Sequence, residues 1–164
     1  EAWREASLGR IPKQPVIEMT IPSSADATLA PPGMHVVQLF VQYIPYELSG
    51  GSWRDPKVKA TFVDRVLDRV AHFCPNFRQS ILHCDALSPL DLEEIFGIHR
   101  GNIFHGALSL DQIFHQRPVP GFSSYQMPVK NLFLAGSGAH PGGGVSGAPG
   151  HNCAQAVLKD LGIK

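Results

Sequence analysis

Seven of the sixteen glycines lie between Gly136 and Gly150, in a run that opens Gly136-Ser137-Gly138-Ala139-His140-Pro141-Gly142-Gly143-Gly144-Val145-Ser146-Gly147. Glycine accepts positive φ and lets a ligand approach the backbone where a Cβ would collide. Just before this run, Asn131-Leu132-Phe133-Leu134-Ala135 is a short apolar stretch of buried-strand type. Just after it, Ala148 to Leu161 reads as a helix, with Gly162 beyond its end. The unit is strand, glycine-rich turn, helix. A helix starts with unpaired N–H groups and a partial positive charge, so an anion is stabilised there. A flavin is one candidate, because its N1–C2=O edge gains negative charge on reduction.

Other chemistries fit less well. No Gly-Lys-Ser/Thr follows the turn, as a phosphate-binding P-loop needs. The Gly136-x-Gly138 pair is followed by a long insertion, unlike the dinucleotide fingerprint. Gly144-Val145-Ser146-Gly147-Ala148 resembles a nucleophile elbow, with His151 downstream as a base, but that elbow sits directly on a strand end. A purely packing turn, or one that holds a phosphate or a partner without redox chemistry, also fits the composition. None of the eight histidines falls in an HxxxH or HExxH pattern, so no metal site is expected. Cys74, Cys84 and Cys153 are odd in number and lack CxxC spacing. That argues against a disulfide framework and for a reducing, intracellular compartment.

Around this unit, several elements are expected. Residues 1–14 are an irregular or short helical lead-in. Val16–Ile21 and Met34–Tyr43 form an antiparallel pair, with Val37, Leu39, Val41 and Tyr43 on one face. Asp55-Pro56 caps a helix whose apolar stripe is Val58, Phe62, Val66, Val70 and Phe73, ended by Pro75. Its charged side reads as a solvated face. Ser80–Leu87 is a further strand, and Ser88-Pro89 caps a second helix stopped by Gly97. A glycine-bracketed loop (Gly101–Gly106), a short helix (Leu110–His115) and a rigid connector (Arg117–Gly121) complete the order. The class is α+β, a mixed α/β arrangement with antiparallel or mixed sheet and segregated helices.

At 164 residues and 43% hydrophobic, the chain can bury a core. Fourteen basic residues balance fourteen acidic ones, which argues against nucleic-acid binding through a basic field. No apolar run reaches the roughly 18 residues that span a bilayer, so no transmembrane segment is expected.

The segment Asn131–Gly147 resembles the C-terminal flavin-binding signature of the phytoene desaturase-like flavoproteins. Ala25–Gly33, Gly101–Gly106 and Leu110-Asp111-Gln112 followed by Arg117-Pro118 support the likeness, which covers nearly the whole chain. The resemblance implies an FAD-dependent oxidoreductase with an amine-oxidase-like, two-domain fold. On that basis residues 1–106 are a substrate-domain portion, 107–130 a connector, and 131–164 the last strand, turn and helix of the FAD domain. Gly136, Ser137, His140, Pro141, Gly142, Gly143, Gly144 and Val145 would line the flavin. The amides near Gly144 and Val145 would meet its C2=O edge. His140 is the candidate catalytic residue, and a positioning role suits it better than acid–base chemistry. Arg117 is expected to pair with a carboxylate. The strand, GxGxxG turn and ribose-binding acid that hold the ADP half of FAD have no match in residues 1–30. The chain therefore reads as a C-terminal piece, inactive and FAD-free alone, whose partners are the N-terminal half and a small apolar substrate. Self-association is expected where the 131–161 unit is imperfectly covered. The implied compartment is the mitochondrial matrix for an animal protein and the cytoplasm for a bacterial one.

Overall fold

A computed structural model describes residues 1–163 of the chain. It is a mixed helix-and-strand protein in two compact units, Glu1–Ile95 and Phe96–Lys164. Four helices and one two-stranded antiparallel sheet are formed among the described residues.

The first unit opens with α1 (Ala2–Ser7), followed by strands β1 (Val16–Thr20) and β2 (Gln38–Gln42). They pair antiparallel, with Ile17 opposite Val41 and Met19 opposite Leu39. Side chains alternate across a strand, so these four share a face. Ile17, Leu39 and Val41 pack against the core of Trp53, Phe62 and Val66. β2 is shorter than the expected Met34–Tyr43. Its partner is only five residues long, and Tyr43, at φ 61°, leaves the extended conformation.

Helix α2 (Pro56–Ala71) begins as its sequence dictates. Asp55 accepts the Lys57 N–H at 2.9 Å, and Pro56 needs no donor in the first turn. Its apolar stripe delivers Phe62, Val66 and Val70 to the core. The Trp53 and Phe62 rings meet edge to face at 5.5 Å. The opposite side is not wholly a solvated face. Half-buried Arg65 donates to the carbonyls of Ile11 and Pro12, tying the lead-in to the helix. Helix α3 (Pro89–Phe96) starts with a capping box: the Asp91 N–H donates to Ser88 Oγ, and the Ser88 N–H returns to the Asp91 carboxylate. Lys59 of α2 reaches the same carboxylate at 2.6 Å.

Ser80–Leu87 is not a strand. After a 3-10 turn at Arg78–Ser80 the chain runs on unpaired, with Leu82 and Leu87 exposed. A strand needs a partner edge, and no described segment offers one here.

The second unit is built mainly from turns. The expected helix over Leu110–His115 is two 3-10 turns, Leu110–Gln112 and Phe114–Gln116, split by extended Ile113. Asn131–Ala135 forms no full strand either. Gln126 and Phe133 make a single antiparallel bridge, flanked by Met127 N–H to Leu132 O and Leu134 N–H to Tyr125 O. Asn131, at φ 63°, shapes the connecting turn, as asparagine readily does. Helix α4 (Ala148–Asp160) follows the glycine run and seats Cys153 against Tyr125 and Ala139, with Phe133, Leu134, Ala156 and Val157 around them.

Candidate functional site

The glycine run begins as two successive turns. The Ala139 N–H donates to Gly136 O at 2.9 Å, and the Gly142 N–H donates to Ala139 O at 2.8 Å. Ala139 is buried at the pivot between them. From there the backbone rises to the surface. Gly144, Val145, Ser146 and Gly147 are exposed, and the Val145 side chain has no protein cover. The amides from Gly143 to Gly147 donate to no group among the described residues. Gly147, at φ 69°, then caps α4 without a side-chain acceptor, and Pro149 occupies the first turn. A row of free N–H groups thus leads directly into a helix N-terminus, where the backbone field is positive.

The glycines divide into those the chain requires and those it does not. Gly142, Gly144 and Gly147 have φ values of 103°, 115° and 69°, which L-residues rarely adopt. A Cβ at Gly143 would lie 3.3 Å from Phe104 Cδ1, so that glycine admits the 103–104 segment. Gly136 has neither constraint: its φ is ordinary and nothing lies within 4 Å of a Cβ there.

His140 is half-buried, and its ring lies 6.5 Å from that of Phe114, tilted by 41°. Its Nδ1 is buried with no hydrogen-bond partner among the described residues. Ser137 is half-buried and Pro141 exposed. Tyr125 and Asn152 hold this segment from behind. The Asn152 Nδ2 donates to Tyr125 Oη at 2.9 Å, and the Tyr125 hydroxyl donates to the His140 carbonyl at 3.0 Å. Sequence reasoning missed both residues. The only local signal is a tyrosine inside a serine- and proline-rich loop.

Arg117 differs from expectation. Its side chain is 1% exposed and pairs with no carboxylate among the described residues. Its guanidinium instead donates to backbone carbonyls of Phe104, His105, Gln112 and Gly138. The elbow reading loses support, because Ser146 Oγ accepts the Ala148 N–H at 3.3 Å and makes no hydrogen bond to His151. No group of three His, Cys, Asp or Glu side chains is arranged to hold a metal among the described residues. No helix among them is long and apolar enough to cross a membrane.

Over 161 residues the chain is 53% identical to pyridine nucleotide-disulfide oxidoreductase domain-containing protein 2 of Rattus norvegicus, covering 98% of this chain and 28% of that protein. At lower identity the chain is similar to proteins named as a dehydrogenase and a desaturase. A limonene dehydrogenase polypeptide of Castellaniella defragrans is 29% identical over 88% of the chain. Phytoene desaturase (lycopene-forming) of a Paracoccus species is 28% identical over 85% of it. The chain spans 28% of the length of the first and 27% of the lengths of the other two. The relatives' names are those of oxidoreductases, in line with the resemblance carried by the Asn131–Gly147 motif. No family model and no solved structure matches the chain.

Proposed function

We propose that the chain is the C-terminal part of an FAD-dependent oxidoreductase of desaturase or dehydrogenase type, with an amine-oxidase-like fold. The observation that carries this reading is the row of unpartnered amides from Gly143 to Gly147 running into α4. Two further observations fit a bound flavin. Gly136 leaves open room that neither φ nor packing explains, and His140 Nδ1 is buried without a partner among the described residues. Gly136, Ser137, Pro141, Gly142 and Gly143 would line the ring system. The Gly144 and Val145 amides would hold its C2=O edge, and His140 would fix its orientation. Bound FAD supplies the redox chemistry, accepting a hydride from a substrate carbon. The protein's own contribution would be a donor array in place before any charge develops.

Residues 1–106 would border the substrate, 107–130 connect, and 131–164 complete the FAD domain. Two relatives are named for limonene and phytoene, and a small apolar substrate is the class we assign. The N-terminal half would bring the phosphate-binding turn, so the chain alone holds FAD weakly and does not turn over. The three cysteines are free, which suits a reducing compartment: the mitochondrial matrix in an animal, the cytoplasm in a bacterium.

The test is to purify the full-length protein and record its absorbance, then titrate FAD into the 164-residue chain. A yellow full-length protein with a chain that binds only above micromolar FAD supports the reading. A colourless full-length protein that takes up no FAD replaces it with a binding module that uses the same turn.

A further inference from the structure

Arg117 is the most deeply buried charge in the second unit, and its environment is unusual for a cation. Four of its five N–H groups are committed to carbonyls. Nη2 donates to Phe104 O and to His105 O, the latter at 3.0 Å. Nε donates to Gly138 O at 3.3 Å, and Nη1 makes a long contact to Gln112 O at 3.5 Å. These acceptors come from three separate segments of a unit that has little regular structure to hold them together. A burial this complete ordinarily requires a carboxylate partner. Among the described residues the charge is offset only by carbonyl dipoles, so it keeps its field.

That field lies behind the glycine run. A Cβ at Gly142 would stand 3.7 Å from Arg117 Nη1, and one at Gly106 would stand 3.8 Å from Nη2. The residue whose carbonyl Arg117 grips, Phe104, is the one whose ring a Cβ at Gly143 would meet at 3.3 Å. Arg117 thus holds the turn from both sides, through Gly138 at its start and through Phe104 beneath its middle. It also adds a positive charge to a segment whose free amides already favour an anion.

We infer that Arg117 is the positioning residue of the glycine turn: its fork fixes the turn's backbone, and its unpaired charge biases the site toward an anionic, reduced cofactor. This rests on the flavin reading. Two variants of the full-length protein separate the two effects. Arg117→Gln removes the charge and the fork, while Arg117→Lys keeps the charge but cannot span four carbonyls.

The readouts are the flavin reduction potential and hydrogen exchange at the His105, Ala139 and Gly142 amides. Arg117→Gln is expected to shift the potential negative by the equivalent of about tenfold in the oxidation equilibrium, about 30 mV for a two-electron couple. Arg117→Lys should stay near the wild-type potential. Both variants should speed exchange at the three amides by about tenfold or more, since the carbonyls that brace these turns are released. A yellow Arg117→Gln protein with the wild-type potential and wild-type exchange overturns the inference. A full-length wild-type protein without flavin defeats the flavin reading instead. Exchange then decides alone: acceleration upholds the positioning role, and no change overturns it.

Discussion

Gly136 and Gly144 look alike in the sequence but are glycine for different reasons. At Gly144, φ is 115° and any side chain strains the backbone. At Gly136 the fold itself asks for nothing, and on the flavin reading glycine there leaves room for what binds. Gly136→Ala should therefore change unfolding free energy by less than about 0.5 kcal/mol. In the full-length protein it should weaken FAD binding at least tenfold. Urea unfolding and flavin titration measure the two separately, and equal loss in both would contradict the assignment. Tyr125 belongs to the opposite class. Tyr125→Phe removes the donor to the His140 carbonyl and the acceptor for Asn152, and should destabilise by about 1–3 kcal/mol in the same urea assay. The glycine run and His140 stand out in the sequence by residue type alone. Tyr125, Asn152 and the true partners of Arg117 do not, because their roles depend on backbone groups brought close by turns with no periodic signature.

Elements with local instructions formed where they were expected. Helix α2 carries its cap, its first-turn proline and its apolar stripe within one stretch of chain. Asp55→Ala should cost about 1 kcal/mol, and Phe62→Ala about 3–5 kcal/mol, both read from denaturant midpoints. The Ser88 cap of α3 was equally legible. Burial raises the Asp91 carboxyl, but hydrogen bonds from Lys59 and Ser88 outweigh it and hold the pKa below its ordinary value of 3.8. A depressed folded-state pKa stabilises above the ordinary value, and that contribution is lost as pH falls through the lowered one. Asp91→Asn should therefore flatten the fall in stability with pH below about pH 4, which acid titration of the melting temperature would record. Ser80–Leu87 and Asn131–Ala135 failed as strands because pairing is not a local property. Both have the composition of a strand, but the first meets no edge among the described residues and the second only the single bridge at Gln126.

At the scale of the whole molecule, the chain is similar to 28% of its rat relative. Its second unit exposes Leu132, Val145 and Leu161 around the glycine turn and α4. Apolar surface of this kind favours association. Light scattering on the 164-residue chain should show self-association that rises with concentration and disappears when the remainder of the protein is present. A strictly monomeric chain at high concentration would oppose that expectation. The proposed flavin cradle, the turn from Gly136 to Gly147, would be completed by sequence outside this chain. Its most direct measurement is the flavin content of the purified full-length protein, by absorbance after denaturation. About one FAD per chain is expected, lost or sharply reduced in Gly136→Ala. A folded full-length protein with no flavin, before or after incubation with FAD, would contradict it.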